Sequence, residues 1–107
     1  MINKTKYNKL VRDKIPAIIE KSGKKHKTYI ADTNEYKKRL LEKLLEEASE
    51  FKEEPSIEEL ADIMEVIESI KSVYDFNDDE INEVRHAKAE NRGGFKERII
   101  LDYVYED

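Results

Sequence analysis

The stretch Leu40–Ile70, LLEKLLEEASEFKEEPSIEELADIMEVIESI, decides how this chain is organised. Projected at about 100° per residue, Leu40, Leu41, Leu44, Leu45, Ala48 and Phe51 fall on one broad apolar stripe. After Glu53-Glu54-Pro55-Ser56, a second stripe follows at Ile57, Leu60, Ile63, Met64, Ile67 and Ile70. Two amphipathic helices are therefore expected, with these stripes as their core faces.

Carboxylates sit at the edges of both stripes, not only on the opposite sides. Glu47 projects into the margin between Leu40 and Tyr36 with Glu50 one turn further on, while Glu59 and Asp62 share an edge with Val66 and Val73. If the helices run antiparallel, these four groups converge. Four carboxylates in a half-buried groove each lose hydration and repel one another, so the arrangement calls for a cation. Hard oxygen ligands suit Mg²⁺ or Mn²⁺, which retain waters and commonly bridge to phosphates. Against this stands an ordinary origin for the same pattern: Glu is a good helix former, and Ser56-x-x-Glu59 is a capping box in its own right.

The wider composition is consistent with a small helical protein. The chain has 107 residues, 42% of them charged, with 3 Gly and 2 Pro. This length suits one domain, residues 1–107, with a modest core that gains from association with another copy. The absence of cysteine excludes a disulfide framework, a thiolate metal site and a thiol nucleophile. Met1-Ile2-Asn3-Lys4 leads into no apolar leader core, and the apolar runs are short, so a cytoplasmic protein without membrane contact is expected.

Charge is divided unevenly. Residues 1–30 carry a balance of +7 and the remainder −12, which together make the net −5. A basic arm on an acidic body suits phosphates or the body itself. Nucleic acid is not an expected partner, because the chain has no recognisable DNA-binding helix pair.

Along the chain, Tyr7-Asn8-Lys9-Leu10-Val11-Arg12-Asp13-Lys14 places three cations before a helix that Asp13 is expected to cap. Pro16 is tolerated in its first turn and Ser22-Gly23 stops it. The cations at the start of this helix favour phosphate. Residues 27–31 read as a short strand, and Asp32-x-x-Glu35 is a capping box for the Leu-rich helix, which ends near Glu54 because Pro55 follows. The next helix runs from Ile57 to about Asp75. Asn77-x-x-Glu80 opens a fourth, which runs through Asn91 and closes at Gly93-Gly94. Residues 95–105 are rich in Ile, Tyr and Val and are expected to pair with 27–31 as a two-stranded element. On the fourth helix Lys88 and Arg92 share a face at i,i+4, and His86 has no second histidine nearby with which to ligate a metal.

Together these residues carry a resemblance. Lys43-Leu44-Leu45-Glu46-Glu47-x-x-Glu50 followed by Glu58-Glu59-Leu60-x-Asp62 resembles the ExxE plus ExxD signature of the MazG-like superfamily of all-α nucleoside triphosphate pyrophosphohydrolases. The segments Tyr7–Pro16 and Arg92-Gly93-Gly94-Phe95 are similar to the two ends of its small house-cleaning branch. The resemblance implies a mainly α fold, a helical bundle of that type, and Mg²⁺-dependent cleavage between the α and β phosphates of a nucleotide. It implies Glu47, Glu50, Glu59 and Asp62 as metal-holding, catalytic carboxylates, with the first position open between Glu46 and Glu47. Lys9, Arg12, Lys14, Lys88 and Arg92 are assigned to substrate phosphates. Related folds share the groove between subunits, so a homodimer or a dimer of dimers is expected. The alternatives are the sister activity on phosphoribosyl-ATP and a non-catalytic helical interaction module.

Overall fold

The computed structural model describes residues 4–107. Met1–Asn3, part of the opening read above for a leader core, lie outside the described residues. Four helices follow in order: α1 (Ile15–Lys21), α2 (Thr33–Glu53), α3 (Ile57–Val73) and α4 (Asp78–Arg92). The fold is mainly helical, and among the described residues no helix is long and apolar enough to cross a membrane. The chain divides into two compact units, Met1–Asp75 and Phe76–Asp107.

Local chemistry sets the helix ends. Asp32 accepts from the Glu35 backbone N–H at 2.8 Å, Ser56 from Glu59 N–H at 3.1 Å, and Asn77 from Asp79 and Glu80 N–H at 2.8 and 3.2 Å. Each side chain satisfies donors that the first helical turn leaves without partners. At the other ends, Gly23 and Gly93 adopt φ of 86° and 80°, the left-handed region that glycine enters without steric cost. α3 stops at Val73, short of the expected Asp75, because Asp75 itself turns left-handed at φ 59°. α1 departs from expectation at its start. Lys14 holds the N-cap position without any side-chain cap, and Asp13 lies one residue too early to reach the free N–H groups.

Only Glu54–Ser56 separate α2 from α3, so the two helices form an antiparallel hairpin that dominates the first unit. Lys37 Nζ lies 4.8 Å from the centroid of the Tyr74 ring and ties the start of α2 to the end of α3. The seam between them is not the one the apolar stripes suggest. On α2, Leu40 and Glu47 are buried and Tyr36, Lys43, Leu44 and Phe51 half-buried. On α3, Val66 is buried and Glu59, Asp62, Ile63, Ser69, Ile70 and Val73 half-buried. Leu41, Leu45 and Ala48, together with Ile57, Leu60, Met64 and Ile67, are exposed. A hairpin buries one face of each helix against the other, and here it is the face carrying the carboxylates.

The expected pairing of residues 27–31 with 95–105 is not present: neither segment is a strand, and the described residues contain no strand. Ile99, Ile100, Leu101, Tyr103, Val104 and Tyr105 are all exposed. An isolated two-stranded ribbon is marginal in water without an apolar surface to cover, so composition alone does not produce one here.

Candidate metal centre in the helical hairpin

Glu47 and Glu50 lie three residues apart on α2, and Glu59 occupies the first turn of α3, directly after the connection. The hairpin brings one oxygen of each to within 4.8 Å of the others. Glu47 is 7% exposed, Glu59 is half-buried and Glu50 opens to solvent. One carboxylate oxygen of Glu47 and one of Glu59 are buried without a hydrogen-bond partner. A buried oxygen left unpaired is costly, and three carboxylates facing one another add repulsion. Burial raises the Glu47 pKa above the usual Glu value, and Glu50 raises it further, with Asp62 adding to the effect and Lys43 opposing it. This donor set fits a hard divalent cation, whose charge would compensate all three carboxylates at once.

The two neighbouring glutamates are thereby distinguished. Glu47 belongs to the cluster, with Lys43 Nζ 3.5 Å from its other oxygen, whereas Glu46 accepts from Lys9 Nζ at 3.0 Å. The hydrogen bond from Lys9 is the main reason the Glu46 carboxyl titrates below its usual range. Asp62, the fourth carboxylate expected to converge, is not among the group of three; its Oδ1 accepts from Arg12 Nη2 at 2.8 Å, and its charge adds to the raised Glu47 pKa.

Among the expected phosphate-binding cations, Lys9 is paired with Glu46 and Arg12 with Asp62, and Lys14 is exposed at the start of α1. Lys88 and Arg92 are exposed on α4 in the second unit. His86 is exposed on the same helix, and His26 Nε2 lies 3.0 Å from Glu20 in the first unit.

Two residues of the site neighbourhood are not singled out by the sequence as site residues. Arg39 Nη1 donates to the Asn8 carbonyl at 3.0 Å and Arg39 Nη2 to Asn8 Oδ1 at 3.1 Å. Asn8 adopts φ 45°, a left-handed conformation that Asn tolerates better than most residues. The Arg39 guanidinium is oriented in turn by Glu35 at 3.3 Å, and Glu35 accepts from the Tyr29 hydroxyl at 2.5 Å. An Asn within a lysine-rich entry is the sole hint of this bend.

Comparison with protein-family models, curated proteins and solved structures finds no match to this chain.

Proposed function

We propose that this chain is a Mg²⁺-dependent nucleoside triphosphate pyrophosphohydrolase of the MazG-like type, releasing a nucleoside monophosphate and pyrophosphate in nucleotide-pool house-cleaning. The observation that carries the reading is the convergence of Glu47, Glu50 and Glu59 on one point, with buried oxygens of Glu47 and Glu59 unpaired. The resemblance of the carboxylate signature and of both chain ends supplies the reaction class.

In this reading Glu47, Glu50 and Glu59 hold the ion, and Asp62 joins them. Bound there, Mg²⁺ or Mn²⁺ would supply charge neutralisation and Lewis-acid polarisation for the phosphates. Water attacks the α phosphorus as the bond to the α–β bridging oxygen breaks, and that oxygen leaves on pyrophosphate. One of these carboxylates would orient the attacking water and accept its proton. Lys9, Arg12 and Lys14 meet the phosphates from the basic arm. Such chemistry needs positioning and charge compensation and no side-chain nucleophile, consistent with a cysteine-free chain.

Self-association is part of the same proposal. Leu45 and Met64 are 73% and 59% exposed in a single chain, and Leu41, Leu60 and Ile67 are exposed beside them in sequence register. Apolar residues repeated at helical spacing and left open to water suit the interface of an obligate homodimer or dimer of dimers.

The test is release of pyrophosphate from a panel of nucleoside triphosphates and phosphoribosyl-ATP, with Mg²⁺ and with chelator. Turnover of a triphosphate that chelator abolishes is expected. Turnover of phosphoribosyl-ATP alone would move the assignment to the sister activity, and a panel left intact would reject an enzymatic role.

A further inference from the structure

The basic arm crosses the acidic hairpin at three places. Lys9 is bonded to Glu46 on α2, Arg12 to Asp62 on α3, and Asn8 is gripped at two atoms by Arg39 on α2. The arm therefore bridges both helices beside the convergence of Glu47, Glu50 and Glu59. The Lys9 ammonium is held firmly protonated, mainly by Glu46, with Glu50 and Glu47 contributing through their charges. The anchors differ in kind. The Arg39–Asn8 contact is a planar, two-point grip with one bond to the backbone, built on a side chain that is only 22% exposed. The Arg12–Asp62 pair is a single contact between side chains 58% and 40% exposed, which water and ions can exchange readily.

We infer that residues 8–12 form a cationic strap, latched at Asn8 by Arg39, which balances the acidic cleft before a divalent ion enters and whose Arg12 then passes from Asp62 to a substrate phosphate. The inference rests on the metal-dependent reading of the hairpin. It assigns Arg39 as a positioning residue, since Arg39 touches the arm and none of the clustered carboxylates of Glu47, Glu50 and Glu59. Arg12 and the ion compete for Asp62. Arrival of a divalent charge frees the guanidinium, and a phosphate provides it with a planar, multi-oxygen acceptor in place of the carboxylate. The latch holds the arm within reach during the exchange, so the cation is delivered locally.

The experiment is a Mn²⁺ titration of the intact, nucleotide-free protein followed by electron paramagnetic resonance, paired with amide hydrogen exchange over residues 9–14. Removing an exposed ion-pair partner changes an equilibrium by roughly two- to fivefold. Arg12→Met is expected to tighten Mn²⁺ binding by about that factor, and to have no such effect in an Asp62→Asn background. In the wild type, saturating Mn²⁺ should speed exchange over residues 9–14. Arg39→Met should speed it already without metal while helix content by circular dichroism stays unchanged. If the wild type binds Mn²⁺ but Arg12→Met binds it equally or more weakly, or if exchange over the arm ignores the metal, the strap is overturned and the metal site stands. If the wild type binds no Mn²⁺, the metal site fails and the strap with it.

Discussion

Glu47, on the inner seam of the α2–α3 hairpin, is 7% exposed, whereas Leu45, two residues earlier on the same helix, is 73% exposed. In a self-sufficient helical pair the two would be reversed, because burying Leu is favourable and burying a carboxylate with one oxygen left without a partner is not. On the proposed reading the two faces answer to different partners. The seam assembles charge that a cation can compensate, and the outer faces keep apolar area that a second copy can cover. Stability of the isolated chain is spent on the first and withheld by the second.

The largest expected effect comes from dismantling the seam's charge while keeping its shape. Glu50→Gln and Asp62→Asn should each lower pyrophosphate release by about two orders of magnitude or more, since the carboxylates act as a unit. Thermal melting in chelator should not fall for Glu50→Gln, because one of three facing charges is removed. For Asp62→Asn the loss should stay within ~1 kcal/mol, the range of the exposed pair with Arg12. Near wild-type rates in both variants would separate the cluster from catalysis.

The outer faces are tested by charge. Leu45→Asp or Met64→Asp would be worth only about ±0.5 kcal/mol on a truly solvated surface. If these positions are interface, sedimentation velocity at micromolar concentration should show the wild type as a dimer or larger and the variants shifted to monomer, with activity falling in parallel. A monomeric wild type with full activity would make the exposed leucine an ordinary surface residue and dissolve the contrast.

Much of this hairpin was legible beforehand, for identifiable reasons. Asp32, Ser56 and Asn77 mark helix starts because each has one chemical task, accepting from the next free N–H groups, and each performs it. The meeting of Glu47, Glu50 and Glu59 follows from i,i+3 spacing and a connection of three residues. The direction of the apolar stripes is not legible in the same way. Periodicity shows that a face avoids water somewhere, without saying whether the same chain covers it, and here Met64 and Ile67 stay 59% and 41% exposed. The Arg39–Asn8 latch was invisible because it depends on one left-handed residue and a contact 31 positions apart. Residues 95–105 have strand-like composition, yet a strand requires a partner edge, which composition cannot supply.

A smaller effect lies in pH. The raised Glu47 pKa means that the folded state holds this proton more tightly than the unfolded chain. Its contribution to stability is therefore complete below the ordinary Glu value of 4.5 and is lost as pH rises through the raised folded value. In chelator the melting temperature should show a falling component above that ordinary value. Glu47→Gln should flatten it, and saturating Mg²⁺ should mask it by compensating the charge. A Glu47→Gln melting profile parallel to that of the wild type in chelator would show that the buried carboxylate is not under electrostatic stress.

The smallest effect concerns the cation that faces the seam from outside. Lys9 and Glu46 are partly exposed at 3.0 Å, so their pairing adds only about 0.2–1 kcal/mol. It acts with the opposite sign to Glu47. Glu46 has a lowered pKa in the folded state, chiefly through the Lys9 hydrogen bond, so its contribution is present above the ordinary Glu value and lost as pH falls through the lowered one. Lys9→Met keeps an aliphatic stem and removes the charge. Carboxyl carbon shifts followed by NMR should then place Glu46 closer to its ordinary value, with the acid limb of the melting profile shallower by no more than that small amount. The same substitution should leave the falling component from Glu47 in place, because burial and Glu50, not Lys9, are its leading causes. If Lys9→Met moved Glu47 as far as Glu46, the two glutamates would be titrating as one site, and the division between a buried ligand and an arm-paired neighbour would have to be abandoned.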